Sequence, residues 1–225
     1  MRDPDRDGRL LRPVVMMVTD RARSGANRRD GVAIDALVGA IGRAARAGVD
    51  LIQIRERDLE GGELLRLTAR ACAIVTGTAT RVLVNDRVDV ALAAGVRAVH
   101  VGQDDVPAAM VRRFLGPEGI IGLSTHTRAQ IDAALYEPID YLAIGPIFDT
   151  TSKDPGYDAV GLELIAYAAS KTDLPIVAIG GITLERARRV LDAGARSVAV
   201  IGDLLRTGDP AARVGEFLQA LRAGA

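Results

Sequence analysis

Gln53, Arg55 and Arg57 alternate along one short stretch of the sequence, with Ile54 and Glu56 between them. In extended chain the two sets face opposite sides, so the amide and the two guanidiniums converge. That trio suits a phosphate or diphosphate, gripped by charge-assisted hydrogen bonds. A solvated charge run closing a strand explains the same residues. Further on stand Asn85-Asp86-Arg87 and His100-Val101-Gly102-Gln103-Asp104-Asp105. Asp86 and Asp105 are hard oxygen ligands of the kind Mg2+ takes, in small number, with water and substrate phosphate completing the octahedron. Helix capping is the alternative: Asn85 or Asp86 could cap a helix from Val88, and Asp105 one at Pro107.

Ser124 and His126 are too close in sequence to act as nucleophile and base, and no Gly-x-Ser-x-Gly elbow surrounds the serine. A hydroxyl that hydrogen-bonds a ligand is the expected role of Ser124; His126 is expected to start a helix, and His100, flanked by valines, to be a satisfied interior histidine. Thr150-Thr151-Ser152-Lys153 forms a hydroxyl-rich, cationic loop with an anion grip or lid as its expected use. Gly180-Gly181 and Ile201-Gly202 offer backbone N–H groups that a phosphate could approach without obstruction.

These residues need a scaffold that gathers them. Apolar runs at 14–18, 51–54, 82–84, 98–101, 120–123, 141–144, 176–179 and 198–201 are mostly Val- and Ile-rich, as parallel strands buried on both faces must be. Helical stretches at 34–47, 64–75, 183–193 and 211–221 lie between them or after the last. Gly48, Gly95 and Gly194 each stand where a helix would end before the next strand. Eight strand–helix units in series predict a single-domain (β/α)8 TIM barrel over 13–225, after a disordered tail at 1–12. A dinucleotide-binding Gly-x-Gly-x-x-Gly is missing after the first run, where Thr19-Asp20-Arg21-Ala22-Arg23 stands instead. In a barrel the site lies at the C-terminal strand ends, where each group named above falls. The Arg-rich segment 21–29 follows the first strand there as a possible lid.

Composition removes other classes. Twenty-nine basic and 29 acidic residues cancel, so no overall field recruits nucleic acid or an anionic membrane. Aromatics are 3% and Trp is missing, which leaves no stacking platform for single strands. No apolar run approaches the ~20 residues of a membrane span, and the polar N-terminus carries no signal-peptide core, so a cytoplasmic protein is expected. One cysteine, Cys72, in an apolar helical stretch, permits no internal disulfide and is expected to be buried and inert.

Taken in order, these segments resemble the thiamine phosphate synthase family from Val14 to Leu221. Thr19-Asp20, Gln53 to Arg57, Val84 to Arg87, His100 to Asp105, Gly122 to Thr127, Gly145 to Lys153 and Ala178 to Ile182 carry the resemblance. It implies a transferase that joins hydroxymethylpyrimidine diphosphate to a thiazole phosphate and releases pyrophosphate through a pyrimidine carbocation. By the same resemblance Gln53, Ile54, Arg55, Glu56, Arg57, Asn85, Ser124 and Lys153 bind the pyrimidine diphosphate. Among them Arg55, Arg57, Ser124 and Lys153 act in catalysis. Asp86 and Asp105 hold Mg2+; Thr150, Thr151, Ser152, Gly181, Ile201 and Gly202 hold the thiazole phosphate. The sequence departs from the family's usual residues at Arg57 (Lys), Ser152 (Thr) and Gly202 (Ser). Arg55-Glu56-Arg57 also occurs in related thiazole tautomerases, which makes an isomerase the principal alternative; a phosphate-metabolite sensor is another. The paired carboxylates, Ser124 and Lys153 favour the synthase.

Overall fold

The computed structural model describes residues 15–23, 31–150, 158–206 and 209–222. Eight strands, β1 Val15–Val18, β2 Leu51–Ile54, β3 Arg81–Asn85, β4 Ala98–Val101, β5 Ile120–Thr125, β6 Tyr141–Ile144, β7 Ile176–Ile179 and β8 Ser197–Val200, close into a barrel in sequence order. All neighbours are parallel, and β1 closes the ring by pairing with β8. The predicted (β/α)8 barrel is the observed fold. Strand limits agree with the apolar runs to within two residues at either end, with Val14 outside the described residues.

The helices are α1 Gly31–Arg46, α2 Gly61–Val75, α3 Val88–Ala93, α4 Ala108–Leu115, α5 Arg128–Ala134, α6 Gly161–Ala169, α7 Leu184–Asp192, α8 Gly202–Leu205 and α9 Pro210–Arg222. Their apolar faces and the strand exteriors form one core that includes Leu37, Ile41, Leu67, Val111, Ile131, Ile165, Val190 and Phe217. Burial of both strand faces is why β1, β2, β4, β6 and β7 contain few polar side chains. The exceptions inside the ring, Gln53 and His100, are therefore informative. Gly48, Gly95 and Gly194 take positive φ at 93°, 71° and 107°, as the helix-ending pattern requires. Cys72 is half-buried rather than fully buried; desolvation still pushes its thiol upward, away from the reactive thiolate.

Strand pairing places the polar groups. Asn85 on β3 pairs with His100 on β4, and Gly122 on β5 pairs with Tyr141 on β6. A Cβ on Gly122 would lie 2.0 Å from Tyr141 Cζ and 2.3 Å from its Oη. Glycine is thus required at 122 by space: the phenol ring occupies the volume any side chain would need.

Candidate active site

The β2 end behaves as alternation dictates. Gln53, Arg55 and Arg57 line a cavity of about 210 Å3 at the barrel mouth, together with Asn85, Asp86, Asp105 and Ser124. Ile54 and Glu56, both expected to bind substrate, face the other side and are not among the residues lining that cavity. Ile54 is fully buried in the core. Glu56 is buried against Arg21, accepting from its backbone N–H at 3.1 and 3.2 Å and from Nη1 at 3.0 Å. Burial raises the Glu56 carboxyl, while Thr19 and Arg21 pull it back. Arg21 also clasps Asp58 at 2.8 and 2.6 Å. This buried pair ties the β1 loop to the β2 loop, and Thr19 Oγ1 adds to it by accepting from Arg55 N–H at 2.9 Å. Arg21 is thus an anchor; residues 24–29 of the expected lid lie outside the described residues.

Asp86 and Asp105 meet. Both line the same cavity, and Asp86 is pushed up to about 7 by burial first, then by the nearby Asp105, against the opposing pull of Arg57 and Arg55. Neither residue caps a helix: Arg87 and Pro107 occupy the caps of α3 and α4 without side-chain bonds. Asp105 instead accepts from Gly102 N–H at 2.7 Å, closing its own loop. Asp86 has φ 61°, unusual without glycine, and its N–H donates to the His100 carbonyl at 2.8 Å. Asn85, Asp86 and Asp105 thus face the cavity with Arg55 and Arg57.

Ser124 also lines this cavity, and its Oγ lies 2.8 Å from His100 Nε2. His100 Nδ1 lies 2.9 Å from Tyr141 Oη, with the two rings stacked at 5.6 Å. His100 is the satisfied interior histidine expected from its valine neighbours. His126 Nδ1 donates to the Gly145 carbonyl, and its N–H donates to Gln130 Oε1 at 2.7 Å. Thr127, one residue later, caps α5 through Gln130 N–H.

A second cavity of about 500 Å3 opens beside the first. Thr150, Gly180, Gly181, Thr183, Ile201 and Gly202 line it, with Arg186 and Arg206 at its border. Ile179 and Ala199 line both cavities, so the two adjoin across the ends of β7 and β8. The β6 and β7 loops touch backbone to backbone, Ile147 N–H to the Ile179 carbonyl at 2.9 Å and Phe148 N–H to the Gly180 carbonyl at 3.1 Å. Gly181, at φ 63°, sits where a Cβ would meet Asp149 O and Phe148 Cβ at 2.8 Å. Asp203, buried, accepts from Leu184 N–H at 3.1 Å and from Arg213 at 2.9 Å, fastening the β8 loop to α7 and α9. Arg186 and Arg206, which border this cavity, were not among the expected site residues. Arg186 lies on α7 and Arg206 just after α8, where a basic side chain carries no sequence signal separating it from a solvated one. Thr151, Ser152 and Lys153 lie outside the described residues; among those described, the β6 loop contributes Asp149 and Thr150 to the lining.

A closed barrel with its polar side chains gathered at the C-terminal strand ends defines a (β/α)8-barrel enzyme. A family model described as thiamine monophosphate synthase matches residues 16–204. A thiamine-phosphate synthase of Koribacter versatilis is 47% identical over 174 residues, 77% of this chain and 81% of the relative. One from a Roseiflexus species is 39% identical over 199 residues, 88% and 81% of the two chains. Among solved structures, thiamine phosphate pyrophosphorylase from Pyrococcus furiosus superposes with a TM-score of 0.81 at 26% identity, covering 96% of this chain and 98% of that one. The chain belongs to the thiamine monophosphate synthase family and is a transferase of thiamine biosynthesis.

Proposed function

We propose that this enzyme condenses hydroxymethylpyrimidine diphosphate with a thiazole phosphate, giving thiamine phosphate and pyrophosphate. One observation carries the reading: two adjoining cavities, one lined by Arg55, Arg57 and the Asp86–Asp105 pair, the other by glycine-rich loops, share a border at Ile179 and Ala199. The first suits a diphosphate, the second a monophosphate, and the reacting atoms meet between them.

The donor set fits Mg2+. Asp86 and Asp105 line one cavity, with Asp105 near enough to help raise Asp86, so a divalent cation there would relieve their repulsion; the described residues hold no cluster of three or more His, Cys, Asp or Glu. That leaves coordination positions for water and diphosphate oxygens, as Mg2+ prefers. When bound through Asp86 and Asp105, the cation would neutralise charge on the departing pyrophosphate.

The rest falls to the chain itself. Arg55 and Arg57, with Lys153, hold the diphosphate by ion-paired hydrogen bonds that strengthen as negative charge accumulates on it. Gln53 and Asn85 bind the same substrate from the cavity wall. The C–O bond to the diphosphate breaks with its electron pair leaving on pyrophosphate, and the pyrimidine ring delocalises the cation left on the methylene. The thiazole nitrogen then donates its lone pair to that carbon. Thr150, Thr151 and Ser152, with the backbone at Gly181, Ile201 and Gly202, hold the thiazole phosphate in line for attack. No proton is removed from carbon, which agrees with a cavity rich in cations and hydroxyls.

Thiamine phosphate formation from the two purified substrates, with and without Mg2+, tests this. Product that forms only with Mg2+ is expected. A folded enzyme that binds thiazole phosphate yet makes no thiamine phosphate would overturn the reading in favour of an isomerase or sensor.

A further inference from the structure

We propose that Tyr141 and His100 are positioning residues, forming a hydrogen-bond relay that runs in one direction, Tyr141 to His100 to Ser124, and so presents the Ser124 hydroxyl to the cavity as a donor. The substrate atom it serves is then an acceptor: a ring nitrogen or a diphosphate oxygen of the pyrimidine substrate. This rests on the reading that the first cavity holds that substrate.

The direction follows from the buried end of the relay. Tyr141 is fully buried, and among the described residues its hydroxyl has His100 Nδ1, at 2.9 Å, as its hydrogen-bond partner. Were Nδ1 the donor, the buried phenolic O–H would have no acceptor among the described residues, the more costly way to leave a polar group. The phenol therefore donates, and Nδ1 accepts. Burial also holds Tyr141 protonated, far above its ordinary range. A neutral imidazole that accepts at Nδ1 carries its proton on Nε2. That proton points at Ser124 Oγ, 2.8 Å away. With its oxygen already accepting from His100, Ser124 can offer its own hydrogen only elsewhere, and this residue lines the cavity beside Arg55 and Asp86. Ring stacking at 5.6 Å and the missing side chain at Gly122 keep the phenol in place.

The second histidine supplies an internal reference. His126 Nδ1 faces the Gly145 carbonyl, which can only accept, so His126 carries its proton on Nδ1. The chain holds two histidines, and they should be opposite tautomers. Two-bond 1H–15N NMR on the full chain labelled with 15N-histidine, with the His100→Gln variant for assignment, reads this directly. The expected spectrum shows His100 as the Nε2–H form and His126 as the Nδ1–H form. In Tyr141→Phe, His100 should become a mixture of both.

Kinetics test the positioning role. Tyr141→Phe should lower kcat about tenfold, the loss of one oriented hydrogen bond, with KM for thiazole phosphate unchanged. His100→Gln, whose amide N–H can replace Nε2–H, should retain several-fold more activity than His100→Leu. An Nδ1–H form at His100 in the unaltered protein would overturn the relay, whether or not the variants fold. A folded Tyr141→Phe with unaltered kcat would overturn its role in positioning. The spectrum is read without substrates, so failure to make thiamine phosphate would sink the proposed function while leaving the direction of the relay decided.

Discussion

Asp86 combines three unusual properties: a left-handed backbone, a carboxyl raised to about 7, and a second carboxyl, Asp105, lining the same cavity. Asparagine tolerates φ of 61° better than alanine does, so Asp86→Asn removes the charge without adding strain. We expect Asp86→Asn and Asp105→Asn each to lower Mg2+-dependent turnover about 100-fold or more, with circular dichroism unchanged. Full activity in both would remove the metal site. The raised carboxyl also sets a sign for stability. In the metal-free fold Asp86 holds its proton more tightly than in the unfolded chain, whose ordinary value is 3.8. Its contribution is therefore fully present below about 4 and is lost as pH rises toward 7. Denaturation of the metal-free protein should show stability falling relative to Asp86→Asn across that window. Mg2+ should restore it at pH 8 in the unaltered protein but not in the variant.

The elements that carry these residues are secured by contacts far apart in sequence. Gly122→Ala should cost about 2 kcal/mol by overpacking against Tyr141 and should disturb His100 with it, measured by urea denaturation and by turnover. Arg21→Ala should cost about 3 kcal/mol, because it strands the buried Glu56 carboxylate and releases the β1 loop from the β2 loop. The double variant Arg21→Met, Glu56→Leu should recover much of that stability. The barrel itself was legible in the sequence, since parallel strands covered on both faces must be short and apolar, and eight such runs leave few other closures. Strand-end residues were legible for the same reason: alternation separates Gln53, Arg55 and Arg57 from Ile54 and Glu56. Of the residues the family resemblance assigns to substrate, Ile54 lies in the core and Glu56 against Arg21, the side to which alternation sends them. Tyr141 gave no signal of its own, being an apolar-looking strand start whose partner His100 lies 41 residues away. Asp203 was equally silent, as its meaning comes from Leu184 and Arg213 on two different helices.

At the scale of the molecule, the barrel does what no single loop could: it brings a cationic cavity built on β2 to β5 against a glycine-rich one built on β7 and β8. With neutral overall charge, the proposed anionic substrates would be attracted locally, by the cations that line the cavities such as Arg55, Arg57, Arg186 and Arg206, rather than by a long-range field. Two bound substrates still react only if the wall between them is low, and Ala199 stands at that border, buried to 3% exposure and touching both cavities. Ala199→Leu should therefore separate binding from chemistry. Isothermal titration should find each substrate alone bound within about threefold of the unaltered enzyme, since each keeps its own anion contacts. Condensation should fall by about 100-fold, the scale of loss when reactants are held about 1 Å from their proper approach. Thermal denaturation within a few degrees of the unaltered protein would show that the barrel accommodates the leucine. Unchanged turnover would mean that the substrates meet elsewhere, and a joint loss of both affinities would mean that the two cavities are one. Ala199→Gly, which lowers the same wall, should bind and turn over both substrates normally.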